Sequence, residues 1–441
     1  MSFDEKLRWF GFWTLDKLRG APVRGYYDQI RSGFYGGTSL EETETKIHKL
    51  ISHAVRTTKF YEAYDPGSSL LDLPVVNKDT FRDQYDAFVS SVYKDAPDNR
   101  IMCTSGSTGT PLSMVQNRDK IYHNTAGGIF LGAAGGYYIG MKEAFIRVWV
   151  NNVKKSRLSL LMENMIMVDS SKMDDEGLAR MLDTIRRKKV KCLVGYSSAL
   201  EEISRYILKH HTDTSGFRVS SIIPISESMA PDFRKKLQEQ FGCPVRAWYS
   251  NEENGIMGIQ NKEDEGYQID TESYYYEILK MDSDEPAAPG ELGRIVITDL
   301  YNYAFPILRY DNGDTAVASR KVKNGRYKLY LTELYGRRSD LIYDCDGRAL
   351  TPYIITNNMW DVSGVRQFRF IQEDVTKYTL WLNGDQNQID AEDIRSRIQP
   401  YLGEKAKLSI EYVDEIPVLQ SGKRKYIENR CERYQNRKGS R

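Results

Sequence analysis

Between residues 144 and 248 the chain alternates short apolar runs with amphipathic ones, and no other feature restricts the fold as strongly. Residues 144–150 read as a strand, 176–188 as a helix and 191–195 as a buried strand. A helix at 200–210, a strand at 219–225, a helix at 231–241 and a strand at 244–248 follow in turn. Such alternation predicts a parallel sheet with helices packed on it. Ligands bind such sheets beyond the carboxyl ends of the strands. The 244–248 strand runs directly into Tyr249, which this reading puts at that edge together with a loop at 104–111.

That loop reads Thr104-Ser105-Gly106-Ser107-Thr108-Gly109-Thr110-Pro111. Small side chains, hydroxyls and exposed backbone N–H groups suit it to wrapping phosphate oxygens. It is not the P-loop of common NTPases, which ends Gly-Lys-Ser/Thr, because Gly109 is followed by Thr110 and Pro111. Ile101, Met102 and Cys103 close a short strand before it. Taken alone, the loop reads equally well as a flexible Ser/Gly linker.

A chain of 441 residues predicts two or more domains. With 62 basic and 61 acidic side chains it lacks the basic excess of a general nucleic-acid binder. Its five cysteines form no Cys-x-x-Cys motif, which predicts reduced thiols and a cytoplasmic location. His48 and His53 share a predicted helix but are five residues apart, off one face, so no structural zinc is expected. The charged N-terminus predicts no secretion signal, and the longest apolar stretch, 126–141, is short and Gly-rich, so no transmembrane segment is expected.

Elsewhere, Ile47, Leu50, Ile51 and Ala54 give 41–62 a helical period, and a helix capped near Asn77 or Asp79 follows Pro74. A further helix is predicted at 119–131. From residue 273 strands dominate, at 274–280, 294–298 and 327–331, with a turn at 286–290. The last hundred residues carry a small core of their own: strands at 368–371 and 378–382, a helix at 391–398 and a strand at 407–413. The expected class is α/β: a large N-terminal domain, 1–336, with a mostly parallel sheet flanked by helices and a β-rich subdomain, then a small mobile α+β domain, 337–441. The junction falls on 336–340.

Five segments, in order, resemble the motifs of the adenylate-forming (acyl- and aryl-CoA ligase) superfamily. They are the 104–111 loop; Tyr249-Ser250-Asn251-Glu252-Glu253, similar to Tyr-Gly-x-Thr/Ser-Glu; Arg309-Tyr310-Asp311-Asn312-Gly313-Asp314, similar to Arg-Tyr-x-Thr-Gly-Asp; Gly336-Arg337-Arg338-Ser339-Asp340, similar to a Gly-Arg-x-x-Asp hinge; and 417–423, which fits Pro-x4-Gly-Lys. The stretches 290–300 and 303–309 resemble the phenylacetate–CoA ligase family, especially its capsular-polysaccharide-biosynthesis branch. The resemblance implies ATP, Mg²⁺ and CoA as reactants and cofactors, and a small-molecule carboxylic acid as substrate. It implies that Thr104, Ser105, Gly106, Ser107, Thr108 and Gly109 hold the β- and γ-phosphates, and that Tyr249, Ser250 and Asn251 line the nucleotide site. Glu253 ligates Mg²⁺ in this pattern, Asp314 accepts the ribose hydroxyls, Arg337 contacts ribose or phosphate, and Lys423 is the catalytic lysine. The acyl pocket falls near 195–197 and 226–228, and Ser339 is the hinge pivot.

Two positions depart from the family pattern. Pro111 stands where many members carry Lys, and Glu252 stands where a Thr or Ser hydroxyl is usual, leaving either Glu252 or Glu253 as the metal ligand. Without the resemblance, Glu253 is a helix-N-terminal acid, Tyr249 a core aromatic, Asp314 a turn residue, Arg337 a surface charge and Lys423 the start of a solvated basic run. The alternatives to transfer onto CoA are an amide- or ester-forming ligase, with an amino sugar or glycan precursor as acceptor, and a nucleotide-binding scaffold without chemistry.

Overall fold

The computed structural model describes residues 1–103, 112–149, 155–227, 229, 231–260, 266–350, 352–359, 362–417 and 425–435. The chain divides into two compact units. The larger comprises Met1–Met229, Lys235–Asn312 and Ala316–Leu334; the smaller comprises Ala230–Arg234, Gly313–Thr315 and Tyr335–Arg441. Among the described residues, no helix is long and apolar enough to cross a membrane.

The alternation at 144–225 folds into a four-stranded parallel sheet, in the order Met165–Asp169, Glu143–Arg147, Cys192–Tyr196, Ser221–Ile225; the last three are the expected strands, and the edge strand Met165–Asp169 is one the sequence reading did not anticipate. The last two strands are buried along their whole length, as parallel strands covered on both faces must be. Between them runs the helix Ser197–Lys209, and the helix Asp175–Arg187 precedes Cys192–Tyr196. The latter is capped by Asp174, whose carboxylate accepts the Gly177 N–H at 2.7 Å, and it buries Leu178, Met181, Leu182 and Ile185 on one stripe.

The larger sheet is mixed and has nine strands. Its main path runs Tyr274–Leu279, Gly293–Asp299, Tyr310–Lys323, Arg326–Arg337, Tyr267–Ile269, Gly255–Gln260, Trp248–Asn251. Tyr274–Leu279 pairs antiparallel with Gly293–Asp299, while the short Val76–Asn77 lies parallel to Tyr310 and Asp311. The helix Leu40–Thr57 supplies Ile47, Leu50, Ile51 and Ala54 to a core that includes Phe81, Phe88, Phe305 and Tyr310.

This arrangement corrects the expected placement of two segments. Residues 244–248 do not extend the parallel sheet: Val245 makes a single parallel bridge with Ile222. The ladder stops because Ala247 turns its carbonyl to the next strand, accepting the Gln260 N–H at 2.8 Å. Tyr249 therefore sits inside Trp248–Asn251, antiparallel to Gly255–Gln260, rather than at the parallel sheet's edge. Likewise Arg100–Cys103 and Ser113–Gln116 pair antiparallel as a separate hairpin. The chain at 104–111 thus joins two hairpin strands, not a parallel strand and its helix; its own residues lie outside those described. All five cysteines are free, and Cys103, at the end of its strand, is the exposed one among them.

Two helices that the sequence reading did not anticipate open the chain, Phe3–Leu18 and Pro22–Gly36. The first turns its acids inward. Asp16 accepts the N–H groups of Val23 (3.0 Å) and Arg24 (2.9 Å), capping the second helix. Glu5 pairs with Lys191 at 2.8 Å and accepts from the Tyr138 hydroxyl at 2.9 Å. Burial alone would raise the Glu5 pKa, but these partners overcome it and hold the carboxyl at about 2. The second helix packs Val23, Ile30 and Phe34 against Ala126, Phe130 and Leu131 of the helix Arg118–Ala134.

The smaller unit has a four-stranded sheet in the order Lys407–Tyr412, Lys377–Gly384, Val365–Gln372, Ile427–Asn429. The central pair is antiparallel, with Phe368 opposite Leu382 and Phe370 opposite Leu380; both outer pairings are parallel. The helix Ala391–Leu402, capped by Asp390, contributes Ile394, Ile398 and Leu402 to the core. The predicted strand–strand–helix–strand order is present, with Pro352–Met359 and Ile427–Asn429 added around it.

Within the parallel sheet, Gly195 lies opposite Ile146, and a Cβ built there would come within 2.8 Å of the Ile146 Cβ and 2.9 Å of its carbonyl oxygen. Neither strand has room to move, so Gly195→Ala is expected to cost about 1–3 kcal/mol. A lowered midpoint in urea unfolding checks this.

Candidate active site

The Tyr249–Glu253 segment forms the end of one strand and a tight turn into the next. Asn251 Oδ1 accepts the Asn254 N–H at 2.7 Å, closing the turn. Gly255 leaves it at φ +104°, where a side chain would be strained and would press on Asn124. Beneath the turn lies Lys120, fully buried. Its ammonium pairs with the equally buried Asp299 and donates to the Asn254 carbonyl (3.0 Å) and the Tyr274 hydroxyl (3.2 Å). Tyr274 in turn donates to the same Asn254 carbonyl at 2.6 Å. Burial pushes the Lys120 pKa down, against the upward pull of Asp299 and Asp270.

The turn presents its two acids differently. Glu252 is exposed, and Glu253 is buried at 6 % exposure. Glu253 Oε1 lies 3.1 Å from Lys78 Nζ and accepts from the Tyr310 hydroxyl at 3.3 Å. Lys78 reaches it because Asn77 caps the helix Lys78–Asp83 while Val76 and Asn77 pair with Tyr310 and Asp311. No motif pointed to Lys78; only the parallel register reveals it.

The structure therefore brings two predicted segments together. Tyr310 reaches Glu253, and Asn312 Nδ2 donates to the Tyr249 hydroxyl at 2.7 Å. Tyr249 itself is buried with Met257, Tyr267 and Tyr276, while Ser250 and Asn251 are half-buried. Other residues of the 309–314 segment serve the fold. Arg309, at φ +49°, forms a bidentate pair with Glu277 (2.9–3.2 Å) and donates to the Leu73 carbonyl at 2.8 Å. Asp311 pairs with Arg294 at 2.8 Å.

In the smaller unit, Asp314 is half-buried within the strand Tyr310–Lys323 rather than at a loop turn. The neighbouring Thr315 Oγ1 donates to the Gly336 carbonyl at 3.1 Å, so Asp314 and the exposed Arg337 stand on adjacent strands. Thr104, Ser105, Gly106, Ser107, Thr108, Gly109 and Lys423 lie outside the described residues. Both flanks of the 418–424 stretch are held by one guanidinium: Arg369 donates to the carbonyls of Pro417 (2.9 Å) and Lys425 (3.1 Å). No motif pointed to this clamp, because Arg369 reads as an ordinary strand residue.

At the carboxyl end of the parallel sheet, Arg147 stands 6.0 Å from the Tyr196 ring. Glu227, just past the strand Ser221–Ile225, accepts the Ser198 N–H at 3.0 Å at the start of a helix, and its carbonyl accepts from Ser197 Oγ at 2.7 Å. Burial raises the Tyr196 phenol; Arg147 opposes this, and Glu227 and Glu252 add to it. Among the described residues no three acids, histidines or cysteines gather as a metal cage.

The fold is that of the adenylate-forming ligases: the chain matches 2-hydroxyisobutyryl-CoA ligase in its postadenylation state with a TM-score of 0.70, over 91 % of this chain and 92 % of that one, at 16 % identity. In sequence it is 22 % identical to protein CapK of Staphylococcus aureus over 92 % of this chain and 93 % of the relative. It is 23 % identical to the phenylacetate–coenzyme A ligase of Thermus thermophilus over 68 % of this chain and 70 % of that one. Residues 342–430 match the CapK C-terminal domain family. Together these likenesses support an adenylate-forming, phenylacetate–CoA ligase-like family for the chain.

Removing the charge beneath the turn tests its role. Lys120→Met leaves Asp299 buried without its cation and is expected to cost about 3–5 kcal/mol in unfolding free energy. Lys120→Met combined with Asp299→Leu should recover most of that loss. Denaturant unfolding followed by tryptophan fluorescence measures both.

Proposed function

We propose that this chain activates a carboxylic acid with ATP, forming an acyl-adenylate and pyrophosphate, and then passes the acyl group to CoA. The observation that carries this reading is the pair of bonds joining the two motif segments, Asn312 to Tyr249 and Tyr310 to Glu253. The shared fold supports it, as does the acyl-AMP bound by 2-hydroxyisobutyryl-CoA ligase.

In the first step an oxygen of the acid attacks the α-phosphorus, and the bond to pyrophosphate breaks. Both reactants are anionic, so the site must supply donors and positive charge where charge builds. The hydroxyls of Thr104, Ser105, Ser107 and Thr108 and the amides of Gly106 and Gly109 hold the β- and γ-phosphates. Tyr249 offers a flat face to adenine, with Ser250 and Asn251 beside it. Asp314, an acceptor-only carboxylate, takes the ribose hydroxyls, and Arg337 contacts ribose or phosphate. Lys423 bridges the acid and the α-phosphate. Mg²⁺, when bound, neutralises polyphosphate charge; it needs only one or two protein carboxylates besides phosphate and water oxygens. Glu253, the acid at the matched motif position, would supply that carboxylate in competition with Lys78, which pairs with its Oε1. Glu252 is the exposed alternative.

In the second step the CoA sulfur attacks the acyl carbon, the bond to AMP breaks, and the thiol proton passes to solvent. A hinge at 336–340, with Ser339 as pivot, lets one small domain serve both steps. A second reading rests on the nearly end-to-end match with CapK: the acceptor is an amine or hydroxyl of an amino sugar or glycan precursor. Comparing hydroxylamine trapping with CoA-dependent AMP release separates the two.

ATP–pyrophosphate exchange across a panel of carboxylic acids is the direct test; release of ADP and phosphate instead would exclude the mechanism, and nucleotide binding without any turnover would favour the scaffold. In that assay Lys423→Ala should slow adenylation by roughly 10²- to 10³-fold. Transfer from supplied acyl-adenylate should survive, and Lys425→Ala should leave adenylation near its normal rate.

Glu253→Gln should raise the Mg²⁺ concentration needed for half-maximal exchange more than Glu252→Gln does. Titrating Mg²⁺ against exchange rate in both variants decides which acid is the ligand.

A further inference from the structure

The helix Phe3–Leu18 rests on the protein by a mixed face, with Phe12 and Trp13 half-buried against the core of the next helix. Its fully buried residues are two acids, Glu5 at 2 % exposure and Asp16 at 6 %. A second set of large apolar residues faces out: Phe3 is 84 % exposed and Leu18 78 %, and Leu7 and Phe10 are exposed between them. At about 100° per residue, positions 3, 7, 10 and 18 share one stripe roughly 80° wide. Exposed Lys6 and Lys17 flank it. On another side Arg8 Nε donates to the Leu161 carbonyl at 3.1 Å, which brings in the helix Arg157–Glu163 with its exposed Leu158, Leu161 and Met162. A surface helix ordinarily buries its apolar residues and wets its charges; this one buries two acids and leaves a second apolar stripe exposed.

The way the acids are used identifies what covers the stripe. Glu5 is spent on Lys191 and Tyr138, Asp16 on the amides of the next helix, and Asp4 on Arg8 at 3.0 Å. The outward charges that remain on this helix, Lys6, Lys17 and Arg19, are cationic. Aromatic and aliphatic side chains flanked by lysines are the pattern of a helix lying in the interface of an anionic bilayer. A helix of 16 residues spans about 24 Å, and it is not apolar enough to cross.

We propose that the outer face of Phe3–Leu18 is a docking surface for an anionic lipid bilayer. It stands independently of the adenylation reading. The test is flotation of the full chain with phosphatidylcholine vesicles, with and without phosphatidylglycerol. The expected result is partition onto the anionic vesicles, weakened by salt. Leu7→Ser with Phe10→Ser should reduce partition at least about tenfold, and Lys6→Glu with Lys17→Glu should abolish the preference for phosphatidylglycerol. Circular dichroism and pyrophosphate exchange in solution should be unchanged in both variants. Absence of partition, equal partition onto both vesicles, or partition indifferent to Leu7 and Phe10 would overturn the proposal. So would a dimer, seen by light scattering, that the Leu7 and Phe10 changes dissociate while no vesicle binding occurs.

Discussion

The ion pair between Lys120 and Asp299 is the constraint around which the larger unit is arranged. Removing two charges from water costs several kcal/mol each, and their mutual attraction offsets this only when every remaining polar atom finds a partner. Here the ammonium meets a carboxylate, a backbone carbonyl and a phenol, and sits 4.7 Å from the Tyr274 ring centroid. These partners come from a helix, a turn and two strands. None can shift without stranding a buried charge, so the pair fixes the position of the turn that carries Glu253. Arg309 with Glu277 and Arg294 with Asp311 impose the same discipline on neighbouring strands.

The two motif segments around this pair mix architecture with chemistry. Arg309 and Asp311 are consumed by ion pairs that hold the sheet, and Tyr310 packs against Phe81 at 5.0 Å while its hydroxyl reaches Glu253. Asp314, two residues beyond Asn312, lies half-buried past Gly313. A motif match alone does not tell which of its letters touch a ligand and which only hold the ones that do.

Much of the fold was legible where one period dominated. The stripe of Leu178, Met181, Leu182 and Ile185 and the buried strands beside it follow from spacing, as does the strand–strand–helix–strand order of the smaller unit. The opening helix was not legible, because apolar residues lie on its outer face and acids on its inner one, the opposite of what periodicity is read for. The long strand Tyr310–Lys323 was missed because Asn312 and Gly313 look like a turn. The true place of Tyr249 depended on which strand its neighbours chose as partner, and pairing is a non-local matter that no window of sequence contains. Lys78 and Arg369 were invisible for the same reason: each acts through a contact with residues far along the chain.

Cysteine placement has a practical corollary. Cys192, Cys243 and Cys431 are buried and Cys345 is half-buried, while Cys103 is exposed at the neck of the hairpin, with its sulfur 3.2 Å from Ser113 Oγ. Thiol-reactive dyes react with accessible sulfurs far faster than with enclosed ones. The native chain thus carries its own attachment point for a fluorophore, one residue before the segment proposed to hold the phosphates, so that proposal is open to an optical test without engineering a single position.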